Sequence, residues 1–347
     1  MRSIFKIKRP VAAAKLLIVC AVAIIALSFN SGASGQDQNK PDQKPIDPKA
    51  WGGNHAGKPM VEYVHGDECL FCHRNDIGTS WQNNAHGVTV RHREDAPEFT
   101  KMVESMPALA EVAKQVEYFL GSRHRVRFLK KEGYGKFTML NAQVALGGNG
   151  QAEKSPPTLV DHEKIAWDKE KFANQCAGCH TTAVDPETRS FSEFGLDCYT
   201  CHGEVDLNHS NDTSLVLLSK KRRNDAKAIT SLCAQCHLRE SKSRSTGLPY
   251  PNNFVAGDNL FQDLEVNWAR ADDQKLNAGD RHVWRNARDV ALYGNESITC
   301  LSCHQVHANT SFKHRRVLRA PICAECHQGE GFKDVKRYEV HSSLCEY

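Results

Sequence analysis

Cysteine pairs followed directly by histidine are the chemistry-bearing feature of this chain. Six copies of Cys-x-x-Cys-His occur: Cys69–Cys72–His73, Cys176–Cys179–His180, Cys198–Cys201–His202, Cys233–Cys236–His237, Cys300–Cys303–His304 and Cys323–Cys326–His327. They use twelve of the fourteen cysteines. Two thiols three positions apart can each add to one vinyl group of a haem, giving two thioethers. The adjacent histidine is then held beneath the iron as its proximal ligand. Zinc half-sites would leave the invariant histidine unexplained. Redox disulfide motifs would not come in series with a histidine each time. The spacing predicts six covalent haem c groups, and with them export, because such haem is attached outside the cytoplasm.

Second axial ligands must come from the remaining eleven of seventeen histidines, because methionines are scarce after the amino-terminal segment. The local sequence of four of them resembles a known family. Gly66-Asp-Glu-Cys-Leu-Phe-Cys-His followed by Trp81 and Ala85-His86, Gly121-Ser-Arg-His124 before a hairpin, Cys198-Tyr-Thr-Cys-His-Gly203 with His209, and Cys300-Leu-Ser-Cys-His-Gln-Val-His307 are similar to motifs of the cytochrome c-554 family of multihaem cytochromes. The resemblance covers roughly residues 61–330 and implies His86, His124, His209 and His307 as distal ligands. His162 and His282 complete the expected set, chosen over His55, His314 and His341. His307 lies too close to His304 to reach the same iron, so it should ligate a neighbour, with the sixth motif as the nearest in sequence. The family's named tetrahaem member has fewer motifs, and one haem there lacks a distal ligand.

The elements that must position these groups read less sharply. Residues 1–35 run basic, then apolar, then small, the order of a cleaved signal peptide. Residues 36–60 read as a flexible polar tether. Residues 61–175 form a first-haem region, with a helical pattern over Asp95–Leu120 divided at Pro107 and a β-hairpin near 125–144. Residues 176–347 form a five-haem region of short helices and loops, with longer helices expected over Lys220–Cys236 and Asp280–Leu292. The fold class expected is mainly α with much irregular structure, the haems forming the core in place of side chains. A 40% hydrophobic content and a mean hydropathy of −0.53 agree with that.

The formal charge of +4 comes from the leader, since the rest holds forty basic against forty-one acidic residues. Composition therefore gives no support for nucleic-acid binding, and no second long apolar run predicts a membrane span. The expected partners are redox proteins, and the expected place is the periplasm or beyond. Three functions fit: an electron carrier with mostly bis-histidine haems, a multihaem oxidoreductase acting on a small nitrogen or sulfur compound at one open haem, or a structural unit of an extracellular electron conduit. The second would draw on Arg91, Arg93, Arg123 and Tyr134 near the first motif. Cys345 is left over once Cys20 departs with the leader.

Overall fold

The computed structural model describes residues 45–82, 84–122, 125–146, 156–160, 165–219, 221–222, 224–276, 278–304 and 306–307. Residues 1–35, His124, His162, Cys345 and the sixth motif (Cys323, Cys326, His327) lie outside these residues.

Several helices among the described residues frame the motifs. They are α1 (Gly66–His73), α2 (Pro97–Ser105), α3 (Ala110–Ala113), α4 (Lys171–Gln175), α5 (Ala177–His180), α6 (Cys198–His202), α7 (Ala226–His237), α8 (Ala278–Tyr293) and α9 (Cys300–Cys303). The first of them enters a π turn at Arg74–Gly78. The expected helix over Asp95–Leu120 is shorter than its pattern. Pro107 forces Met106 into extended backbone (φ −93°, ψ 109°), which ends α2. The last three residues, Tyr118–Leu120, are a strand.

That strand belongs to a six-stranded antiparallel sheet. Its strands are β1 (Val90–His92), β2 (Tyr118–Leu120), β3 (Arg125–Gly133), β4 (Lys136–Ala145), β5 (Thr158–Val160) and β6 (Trp167–Asp168). They lie in the order β1-β2-β3-β4-β5, and β6 pairs with β4 beside β5. The small hairpin expected near 125–144 is therefore the centre of a larger sheet. Periodicity could not show this, because β1, β2, β5 and β6 are too short to carry a pattern of their own.

The sheet is covered on both faces. Leu140, Ala142 and Val144 point to one side, where Phe99, Val103, Leu109 and Ala113 of the helices close over them. Phe137 and Met139 point to the other, onto Phe172, Ala177 and Phe191. Phe137 stacks on Phe191 at 5.4 Å and meets Phe194 edge-on at 4.6 Å. Each such phenylalanine contributes about 1.5–3 kcal/mol by burial. Ala177 sits inside the second Cys-x-x-Cys-His motif, so this face of the sheet is the seat of α5.

A second side-chain core joins α7 and α8 through Leu238, Leu260, Phe261, Leu264, Trp284 and Ala291. Side chains thus build cores of their own, beyond what the lean composition suggested. Residues 45–60, expected as the end of a flexible tether, lie across this second core. Ile46 N–H donates to the Leu292 carbonyl at 2.7 Å. The Asn259 amide donates to Pro48 at 2.8 Å and Lys49 at 3.0 Å, and Trp51 packs edge-on against Phe261 at 5.3 Å. Composition misled here because the segment's backbone carbonyls are met by buried asparagines far along the chain.

Candidate functional site

Each described motif sits on one helical turn: the first on α1, the second at the α4–α5 junction, the third on α6, the fourth at the end of α7 and the fifth on α9. A helical turn brings residues three and four apart onto one side, so both sulfurs and the histidine face the same way. All ten described cysteines are free thiols. Among the described residues no three His, Cys, Asp or Glu side chains converge as a zinc centre requires.

Three proximal histidines face an imidazole from a distant part of the chain. The rings of His73 and His209 are 6.1 Å apart and 32° from parallel. His202 and His307 are 6.0 Å apart at 33°. His237 and His86 are 6.4 Å apart at 73°. Two imidazoles on opposite sides of one iron have ring centres about 6 Å apart, since each bond is about 2 Å and each ring adds about 1 Å. The three pairs fit an iron between them.

The hydrogen bonds agree. His202 Nδ1–H donates to the Leu217 carbonyl at 2.7 Å, and His209 Nδ1–H donates to the Asp206 carbonyl at 2.7 Å. Each bond fixes the tautomer that leaves Nε2 as a lone pair for a metal. Burial lowers the pKa of His86 and His202, favouring the neutral, ligating form. His180 goes further: burial, then the Arg127 guanidinium, bring it to about 4. Its Nδ1 is buried with no hydrogen-bond partner. The residues present fit haem c.

His307 was expected to serve the sixth motif. That motif lies outside the described residues; the His307 ring lies 6.0 Å from that of His202 of the third motif, where Asn84 ties residues 84–86 to residue 306. Asn84 Oδ1 accepts from the His86 N–H at 2.9 Å, and its Nδ2 donates to the Val306 carbonyl. Leu196 N–H adds a bond to the His86 carbonyl at 2.8 Å. His282 lies exposed on α8. His55, which the sequence reading passed over, donates Nδ1–H to the buried Asp258 carboxylate at 2.7 Å.

Motifs far apart in sequence touch in space. Helix α1 packs against α6, α5 packs against α7, and α9 packs against α7. The first motif thus meets the third, while the second and fifth both meet the fourth. The second and third are joined by a short hairpin, β7 (Thr181–Thr182) with β8 (Glu193–Phe194).

Asp197, which sequence reading did not single out, clamps the first motif to the third. Its carboxylate caps α6 through the Tyr199 N–H at 3.2 Å. It also accepts the Gly66 N–H at the start of α1 at 2.7 Å and the Tyr63 hydroxyl. A Cβ on Gly66 would lie 2.6 Å from Asp197 Oδ1, so the approach requires glycine. Its place directly before a helical motif was a legible capping signal; its grip on residue 66 was not. Tyr250 is a second residue of this kind: its ring lies where a Cβ on Gly178 would be 2.1 Å from Cγ.

Arg91 and Arg93, expected near an open first haem, have structural partners. Arg91 pairs with Glu98 at 3.1 Å and covers the Phe99 ring at 4.6 Å. Arg93 donates to the Ala113 carbonyl at 2.6 Å and to Val116 at 3.1 Å. Tyr134 projects into solvent at the hairpin tip, and Arg123 lies outside the described residues.

Residues 150–203 match the family model described as cytochrome c554 and c-prime, a stretch that holds the second and third motifs. No curated protein matches the chain. Two solved structures are similar. The outer cell wall cytochrome OcwA is 20% identical, with 60% of this chain and 45% of that one covered and a TM-score of 0.37. The undecahaem cytochrome from the S-layer of Carboxydothermus ferrireducens is 18% identical, with 79% and 44% covered and a TM-score of 0.39. The chain spans less than half the length of either. No helix among the described residues is long and apolar enough to cross a membrane. By its attachment motifs and this family match, the chain is a multihaem c-type cytochrome that resembles the cytochrome c-554 family and carries covalent haem c.

Proposed function

We propose that this chain is an exported hexahaem cytochrome that passes electrons between redox partner proteins through closely spaced, mostly bis-histidine haems. The observation that carries the reading is the set of three imidazole pairs, His73–His209, His202–His307 and His237–His86, each at iron-spanning distance. Haem iron supplies one-electron Fe(III)/Fe(II) chemistry when bound. The chain's own residues do the rest. Twelve cysteines hold the groups: Cys69, Cys72, Cys176, Cys179, Cys198, Cys201, Cys233, Cys236, Cys300, Cys303, Cys323 and Cys326. The paired imidazoles would hold each of these three irons from both sides and leave small molecules no coordination site there. The carbonyls of Leu217 and Asp206 orient two of the imidazoles. Contacts between the motif-bearing helices would bring the haems they hold close together, which fast electron tunnelling needs. His124, His162 and His282 remain the proposed ligands for the other irons, and the basic, apolar and small order of residues 1–35 supports export.

Two measurements test this. Denatured mass spectrometry of the mature protein should show the chain plus six haem masses; a haem-free chain holding zinc would end the reading. Electron paramagnetic resonance of the oxidised protein should show predominantly low-spin iron. A high-spin iron that binds nitrite or sulfite in the unmodified protein would favour the catalytic alternative.

A further inference from the structure

We infer that the first motif forms the electron port of this cytochrome, and that the port receives a redox protein with a basic face. The inference rests on the electron-carrier reading and names its partner class. Two segments meet at the His73–His209 pair, residues 62–76 and 204–212, and both lie largely at the surface. Glu68 and Arg74, which flank the first motif, and Glu204 and Asp206, before His209, are exposed.

Each segment also carries an apolar side chain that no described residue covers. Phe71 is 87% exposed and Leu207 is 90% exposed, the two most exposed large apolar residues among those described. Each lies two positions before one of the paired histidines. The haem cannot be what covers Phe71. At 100° per residue on α1, Cys69, Cys72 and His73 span one arc, and Phe71 points about 150° away from its middle. Phe71 therefore faces solvent whether or not the haem is attached.

Charge selects the occupant. The two segments hold seven acids, among them Asp67, Glu68, Glu204 and Asp206, against the single base Arg74. Lys221 just beyond them is already paired with Asp212 at 2.7 Å. The chain without its leader is nearly neutral, so this is a local concentration of negative charge. An apolar centre rimmed by one sign of charge is the anatomy of a docking face, in which the rim steers encounter and the apolar contacts hold it. Two copies meeting through this face would bring like charges together, so a second copy is the wrong occupant.

The test uses the full holoprotein, a lysine-rich mitochondrial-type cytochrome c as cationic acceptor, and a soluble neutral quinone as a small acceptor. Glu68→Lys with Glu204→Lys should slow stopped-flow oxidation by cytochrome c at least tenfold at low salt. The deficit should shrink at about 0.5 M salt, where charges are screened within a few ångströms. Phe71→Ser should slow the same step several-fold at both salts. Glu111→Lys with Glu296→Lys, on exposed acids elsewhere, should leave it within twofold. Haem content and the quinone rate should not change in any variant. Equal effects from both charge pairs, or none from Glu68→Lys with Glu204→Lys and Phe71→Ser, would overturn the port while leaving the carrier intact. A wild-type dimer split by Glu68→Lys with Glu204→Lys would make a second copy the occupant and overturn it too. A reduced wild type that delivers electrons to neither acceptor would remove the carrier reading, and the port with it.

Discussion

Replacing Asp197 by alanine tests whether one carboxylate holds the first and third motifs in register. The side chain is 8% exposed and accepts three hydrogen bonds from groups on two segments. Loss of its cap on α6 costs about 1 kcal/mol. The Gly66 N–H and the Tyr63 hydroxyl then lose an ionised acceptor, at about 1–3 kcal/mol each. Asp197→Ala should therefore destabilise the holoprotein by about 3–7 kcal/mol. At about 2–4 °C per kcal/mol for a domain of this order, its melting point should fall by roughly 6–28 °C. Asp197→Asn keeps an acceptor oxygen and should lose less than half as much. The decisive assay is a double-mutant cycle with Tyr63→Phe. That substitution should cost about 1–2 kcal/mol in the wild type and almost nothing once Asp197 is gone. Visible circular dichroism should change at the same time, because the haem-bearing turns on α1 and α6 lose their common anchor. A melting point within 2 °C of wild type for Asp197→Ala would refute the reasoning. So would a Tyr63→Phe cost that is the same in both backgrounds.

Other outcomes follow from the same geometry. His307→Ala should leave all six haems attached and convert one low-spin iron to a high-spin one that binds carbon monoxide; His209→Ala should do the same at a different haem, so the double variant should bind two equivalents by visible titration. Gly178→Ala should cost about 3 kcal/mol by overpacking against Tyr250, and a second change, Tyr250→Gly, should recover part of the loss in the same thermal melt, because the three nearest atoms, Cγ, Cδ2 and Cβ, all belong to that side chain. Trp51→Ala should lower the urea midpoint by an amount equal to about 2–3 kcal/mol, since its ring packs on Phe261; an unchanged midpoint would mean that residues 45–60 do not stabilise the α7–α8 core.

The sequence alone determined the chemistry. A cysteine pair with an adjacent histidine is a local pattern, and local patterns survive any tertiary arrangement. The capping position of Asp197 and the break at Pro107 were legible for the same reason. Tertiary structure decided everything that depends on which segments meet. The hairpin of β3 and β4 became a six-stranded sheet only because four short strands found it. Residues 45–60, polar enough to read as a tether, were docked by Asn54, Asn253 and Asn259. Above all, the imidazoles facing His73, His202 and His237 could not be read from spacing. His307 sits three residues after His304 yet faces His202, while His86 faces His237 and His209 faces His73. Attachment to a haem is made within five consecutive residues, but an axial pair must close over the iron from two separate backbones, so only the folded chain can choose the second histidine.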